Sequence, residues 1–270
     1  MLDRRRLAVI GHPIAHSRSP AIHNAALAAL GLADEWAYEA LDVESGEFAD
    51  RVRALPSERF VGANVTVPHK RAALELADTA SDSAGEIGAA NTLSFEAGAI
   101  GADNTDAPGF LAALPEPAAG RRALVLGAGG SARAVVWALV RERADVAVWN
   151  RTAERAERLA EELGAAALDA AGELPAREFE LVVNCTSVGL EPSGSDLERL
   201  RLDPEGFGPG QVVVDLPYGS AETELARAAR ERGASVVDGL EVLVRQGAAS
   251  FRIWTGVEPP LGVMREAARG

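Results

Sequence analysis

The stretch RALVLGAGGSA, residues 122–132, joins an apolar run to a glycine-rich turn and then to small residues. A run without polar alternation reads as a strand buried on both faces of a parallel sheet. Behind it, Gly127-Ala128-Gly129-Gly130-Ser131-Ala132 fits the pattern Gly-x-Gly-x-x-Ala at the point where a strand passes into a helix. There the first glycine makes the tight turn and the second lets backbone approach a pyrophosphate. The small sixth residue allows close helix–strand packing, and the helix N-terminus faces the phosphates. These six residues are the expected floor of a dinucleotide site.

Outward from this stretch the pattern repeats. A helix is expected over 131–143, a strand over 145–150, a helix over 153–163, and strands over 180–186 and 211–216. A helix over 221–232 and a strand over 234–239 complete a doubly wound sheet, and two tail helices follow over 240–254 and 259–268. Toward the N-terminus, strands are expected over 7–13, 36–43, 59–67 and 91–95. One helix opens with Ser19 as its expected N-cap and Pro20 at the first helical position and another at Pro68, Gly98 sits in a turn, and 101–106 reads as a polar loop. Strands alternating with helices imply parallel pairing. Three prolines and two glycines over 107–121 mark a passage between domains. The expected fold is therefore α/β with two domains. A mainly parallel, discontinuous substrate domain spans 1–106 plus 239–270, and a Rossmann-type domain spans 107–238.

Composition excludes several functions. Net charge is −13 over 270 residues, which argues against nucleic acid and anionic membrane as partners. The lone Cys185 rules out an internal disulfide, and four histidines with one thiol make a structural metal site an unfavoured reading. No apolar run approaches the roughly 20 residues of a membrane span, and the N-terminal run Leu7–Ile10 is shorter than a secretory signal needs. A cytoplasmic protein is expected.

Two residue types stand out against this background. The 27 basic residues are all arginine except Lys70, and there are only six asparagines, at 24, 64, 91, 104, 150 and 184. A lysine retained where arginine otherwise serves is a candidate proton carrier, because arginine stays protonated at any working pH. Asn64 and Thr66 share a face at a strand end just before Lys70, Asn91 opens another strand, and Asp106 closes a polar loop. Amides, hydroxyls, one lysine and one carboxylate suit a small polyhydroxylated ligand, and lysine beside carboxylate is an acid–base pair. On the cofactor side, the strand after the glycine turn ends in Trp149-Asn150-Arg151-Thr152, with Arg155 one helical turn further. The position where an acidic residue would hold a ribose hydroxyl is basic instead, which points to the 2′-phosphate of NADP.

The chain resembles the shikimate dehydrogenase family almost end to end. The resemblance rests on HSRSP (16–20), NVTVPHK (64–70), GAANTL (88–93), Asn104-Thr105-Asp106, GAGGSA (127–132), NRTAERA (150–156), NCTSVGL (184–190), DLPY (215–218) and 239–246. Five of the six asparagines fall in these motifs. The resemblance implies NADPH-dependent reduction of 3-dehydroshikimate to shikimate on the route to chorismate and the aromatic amino acids, by a monomer or homodimer without metal. It implies that Lys70 and Asp106 form the catalytic pair. Ser17 and Ser19, with Tyr218 nearby, would bind the substrate carboxylate, and Asn64, Thr66, Asn91, Asp106 and Gln246 the ring hydroxyls. Asn150, Arg151, Thr152, Arg155, Thr186 and Gly239 would join the glycine turn in holding the cofactor. The chain departs from the family pattern at Ala107-Pro108, Val242 and Arg245. Two other readings are a quinate/shikimate dehydrogenase using NAD or NADP and a catalytically silent regulatory relative.

Overall fold

A computed structural model describes residues 4–169, 172–190, 194–219 and 221–270. The chain divides into two compact units, one of Met1–Gly109 with Leu243–Gly270 and one of Phe110–Val242. Both passages fall inside helices, Asp106–Ala113 and Gly239–Thr255. No helix among the described residues is long and apolar enough to cross a membrane.

The first unit runs β1 (Arg5–Gly11), α1 (Ser19–Ala29), β2 (Trp36–Asp42), α2 (Phe48–Ala54), β3 (Phe60–Val65), α3 (Lys70–Leu76), β4 (Thr79–Ala80), α4 (Asp82–Ile87), β5 (Thr92–Glu96), β6 (Ala99–Asp103) and the start of α5 (Asp106–Ala113). Its strands order as β2-β1-β3-β5-β6-β4. β1 pairs in parallel with β2 and β3, and β4 with β6, whereas β5 is antiparallel to both its neighbours. The sheet is thus mainly parallel, as expected, with β5 reversed, and one expectation is corrected: residues 101–103 belong to a strand, not to a loop over 101–106. Ala97 and Gly98 both take positive φ, so a two-residue hairpin turn sends the chain straight back as β6. One face packs Ala8, Ile10, Phe48, Val52, Phe60, Val65 and Leu93 into a core. Full burial of each large side chain there contributes about 1.5–3 kcal/mol.

The second unit holds β7 (Arg122–Leu126), α6 (Gly130–Arg141), β8 (Asp145–Trp149), α7 (Ala153–Leu163), β9 (Ala166–Ala167), β10 (Leu181–Asn184), α8 (Asp196–Leu200), β11 (Val212–Asp215), α9 (Glu224–Glu231) and β12 (Ser235–Asp238). The order β12-β11-β10-β7-β8-β9 is parallel throughout and is that of a doubly wound dinucleotide-binding sheet. Its central strands are buried on both faces, as their unbroken apolar runs require. α10 (Gly239–Thr255) and α11 (Leu261–Arg269) close the chain, and α11 packs on α1 of the first unit.

Candidate active site

Register decides where the polar residues of the first unit emerge. Ile10 pairs with Val65, Asn64 with Thr92, and Thr92 with Asp103. The exits of β1, β3 and β6 and the entry to β5 therefore line one end of the sheet. The Ser17/Ser19 loop, Thr66–Lys70, Asn91 and Asn104–Asp106 all lie there.

Lys70 is the first residue of α3, nine-tenths buried, and at a helix N-terminus, where the helix dipole disfavours a cation. Its Nζ donates to Asp106 Oδ2 at 2.6 Å. Asp106 begins α5 in the dipole's favourable sense, and Asn104 Oδ1 accepts from the N–H groups of Asp106 and Ala107. A buried pair costs desolvation at both ends and is weak as a stability device, which makes Lys70 and Asp106 candidates for chemistry. The other carboxylate oxygen, Oδ1, accepts from Asn91 Nδ2 at 2.9 Å, and the same nitrogen lies 3.0 Å from Gln246 Oε1. Gln246 reaches this point because α5 and α10 approach closely at Gly109. A Cβ on Gly109 would stand 2.6 Å from the backbone nitrogen of Gln246.

Behind these groups lies a layer of buried hydroxyls. Thr92, Thr105 and Ser250 meet at 2.9–3.1 Å, and Asn64 donates to Ser250 Oγ at 2.8 Å. Of this layer Ser250 carries no signal in the sequence beyond lying one helical turn past Gln246. Thr66 and Ser17 are half-buried at the same sheet end, Ser19 is buried, and Ser17 Oγ accepts from the Ser19 N–H at 3.3 Å. Arg18, not Ser19, is the N-cap of α1. His23 is a core residue stacked on Tyr38, and His12 bonds Asp42 at 2.8 Å.

In the second unit Leu126 pairs with Trp149 and with Asn184, Asn184 with Asp215, and Asp215 with Asp238. Five strands thus end in line. Gly127–Ala132, Asn150–Thr152, Thr186, Tyr218 and Gly239 all follow within a few residues of that edge. β7 and β10 flank the point where strand order reverses, the place at which such sheets bind ligands. Gly127 has φ of +110°, and a Cβ there would meet Cys185 and Thr186 at 3.2 Å. α6 begins directly after this turn, so its positive dipole end lies at the same edge. Asn184 Oδ1 accepts from Thr186 N and Oγ1, and Asn184 Nδ2 donates to Asp215 at 2.7 Å, so the loop after β10 is tied to β11. Arg151, Thr152 and Arg155 are exposed, and among the described residues neither arginine has an ion-pair partner.

Residues 9–93 match the family model for the shikimate dehydrogenase substrate binding domain, and 112–190 that for shikimate / quinate 5-dehydrogenase. Residues 239–269 match the shikimate 5′-dehydrogenase C-terminal domain. A shikimate dehydrogenase (NADP(+)) of Thermus thermophilus is 48% identical over 268 residues, which are 98% of this chain and 97% of that protein. The chain belongs to the shikimate dehydrogenase family. Membership makes it an oxidoreductase. Among solved shikimate dehydrogenases, that of another Thermus thermophilus strain, in complex with NADP(H) and shikimate, has a TM-score of 0.87 at 44% identity, covering 98% of each chain. That of Aquifex aeolicus has a TM-score of 0.91 at 37% identity over 99% of this chain and 98% of its own.

Proposed function

We propose that this chain catalyses the reversible NADP-dependent reduction of 3-dehydroshikimate to shikimate in the cytoplasm. The observation that carries the reading is the buried Lys70–Asp106 pair set beside Asn91 and Gln246, in a chain so similar to shikimate dehydrogenases. The second unit suits NADP. The glycine turn leaves room for a pyrophosphate at the N-terminus of α6, with Thr186 and Gly239 on the same edge. Asn150, Arg151, Thr152 and Arg155 offer a basic site for the 2′-phosphate. NADP held by these residues would supply hydride chemistry at its nicotinamide.

The chain's own part is to bind, orient and move a proton. Lys70 Nζ gives a proton to the carbonyl oxygen during reduction and takes it back during oxidation. Asp106 holds the lysine by one oxygen and is itself fixed through the other by Asn91. Ser17, Ser19 and Tyr218 hold the substrate carboxylate through hydroxyls, while Asn64, Thr66, Asn91, Asp106 and Gln246 hold ring hydroxyls. Hydroxyls orient a carboxylate without the tight ground-state grip of an arginine clamp, and such a grip does not speed the chemical step. Oxidation of shikimate and of quinate, each with NADP⁺ and NAD⁺, tests the reading. Turnover is expected with shikimate and NADP⁺. Comparable turnover with quinate or NAD⁺ would make it a dual-specificity enzyme, and none with shikimate would refute the reading.

A further inference from the structure

The hydrogen-bond accounting at Asn64 leaves little freedom. Its Nδ2 lies 3.1 Å from the carbonyl oxygen of Asn91, which can only accept, so the nitrogen must face that way. The remaining N–H donates to Ser250 Oγ at 2.8 Å, with Thr92 Oγ1 at 3.3 Å beside it. The amide oxygen therefore faces the hydroxyl of Tyr38 at 2.8 Å, and the tyrosine must be the donor. Tyr38 is held in turn on both sides. Its backbone N–H donates to Asn24 Oδ1 at 3.0 Å and its carbonyl accepts from Asn24 Nδ2 at 2.8 Å, so the asparagine mimics a strand edge. Its ring stacks on His23 with centroids 4.1 Å apart.

We infer that Tyr38 is a positioning residue for the substrate side of the site, its hydroxyl and that of Ser250 locking the Asn64 carboxamide from behind. Both N–H groups of Asn64 are used inside the protein, and one lone pair of its oxygen is already taken. What remains for a ligand is a single acceptor position. Asn64 thus accepts from a ligand hydroxyl and cannot donate to a ligand carbonyl or carboxylate. The inference rests on the proposed reaction for its substrate but on local geometry for the lock.

Tyr38→Phe removes the hydroxyl and keeps the stack on His23. KM for shikimate is expected to rise about five- to tenfold, the ratio that one buried hydrogen bond corresponds to. The kcat and the KM for NADP⁺ should stay within about twofold. Ser250→Ala, which removes the other anchor, should move the same KM. An unchanged KM for shikimate, or a fall in kcat with both KM values untouched, would overturn the positioning role. Solvent exchange of the Asn64 side-chain amide protons, followed by NMR without ligand, gives a second readout. It should quicken at least about tenfold in Tyr38→Phe, and unchanged exchange would overturn the lock. Wild-type protein inactive on shikimate would refute the proposed reaction alone, because the exchange measurement still judges Tyr38.

Discussion

At the scale of single residues, the lysine and the asparagines were the most legible part of the site. In a chain that uses arginine for every other positive charge, Lys70 stands out, and the structure places it buried against Asp106. Asn91 and Gln246 converge on the same carboxylate neighbourhood. The arginines of the second unit carry a sharper test. Arg151 is exposed, follows the end of β8 and has no ion-pair partner among the described residues, so its replacement should leave the fold intact. Arg151→Ala is expected to raise the KM for NADP⁺ about ten- to a hundredfold, the worth of a charge-assisted phosphate contact, while NAD⁺ changes less than about twofold. Steady-state kinetics with both cofactors checks this, and equal losses would refute a phosphate contact. Ser250, Thr92 and Tyr38 were not legible as site residues. Their importance comes from three-dimensional convergence, and a lone buried hydroxyl in an apolar helix or strand carries no periodic signal.

At the scale of elements, the second unit could be read almost completely because its period is strong. α7 was expected over 153–163 and spans Ala153–Leu163, bounded by Gly164 in the left-handed conformation. Five of its strands lie within one or two residues of their expected limits at either end, whereas the two-residue β9 is not expected from the sequence at all. The first unit was harder. β6 alternates buried Ile100 and Ala102 with half-buried or exposed neighbours, but its five residues end in the polar Asp103-Asn104-Thr105-Asp106 run, which masks the strand. α4 and α8 are too short for helical periodicity to show, and are held by Ser81 and Ser195 as side-chain N-caps. The contact of α5 with α10 is invisible in sequence yet sets the site. Gly109→Ala would drive a Cβ into the backbone of Gln246, and neither helix can yield cheaply. A loss of about 1–3 kcal/mol of stability is expected, with a rise in KM for shikimate as Gln246 is pushed away. Denaturant unfolding and kinetics on the same preparation check both. A variant with unchanged stability and KM would show that the helices are free to separate.

At the scale of the whole molecule, two buried titratable groups oppose each other in the pH dependence of stability. Burial lowers the His23 ring to a pKa of about 3, and both ring nitrogens lack a partner. The unfolded chain therefore binds a proton below about pH 6.5 that the folded chain refuses until about pH 3. This contribution is complete above pH 6.5 and weakens as pH falls, by roughly tenfold in the folded ratio per pH unit. Asp215 acts in the other sense. Burial pushes its carboxyl up to about 6, although hydrogen bonds from Thr223 and Asn184 pull it down. The folded chain then holds a proton between about pH 3.8 and 6 that the unfolded chain has lost, so stability declines as pH rises through that window. His23→Phe should flatten the acid limb, seen as urea midpoints at about pH 4 and 7 drawing together. Asp215→Asn should gain stability relative to wild type at about pH 8 and lose that advantage at about pH 4. Parallel pH curves for wild type and variant would contradict either assignment. The most direct test of the whole account is the turnover of Lys70→Ala with shikimate and NADP⁺ at saturation, alongside NADP⁺ binding. A fall in kcat of about 10²–10⁴-fold, the worth of a positioned proton carrier, with NADP⁺ affinity unchanged is the predicted result. A variant that keeps most of the wild-type kcat would contradict the role of Lys70 and with it the proposed mechanism.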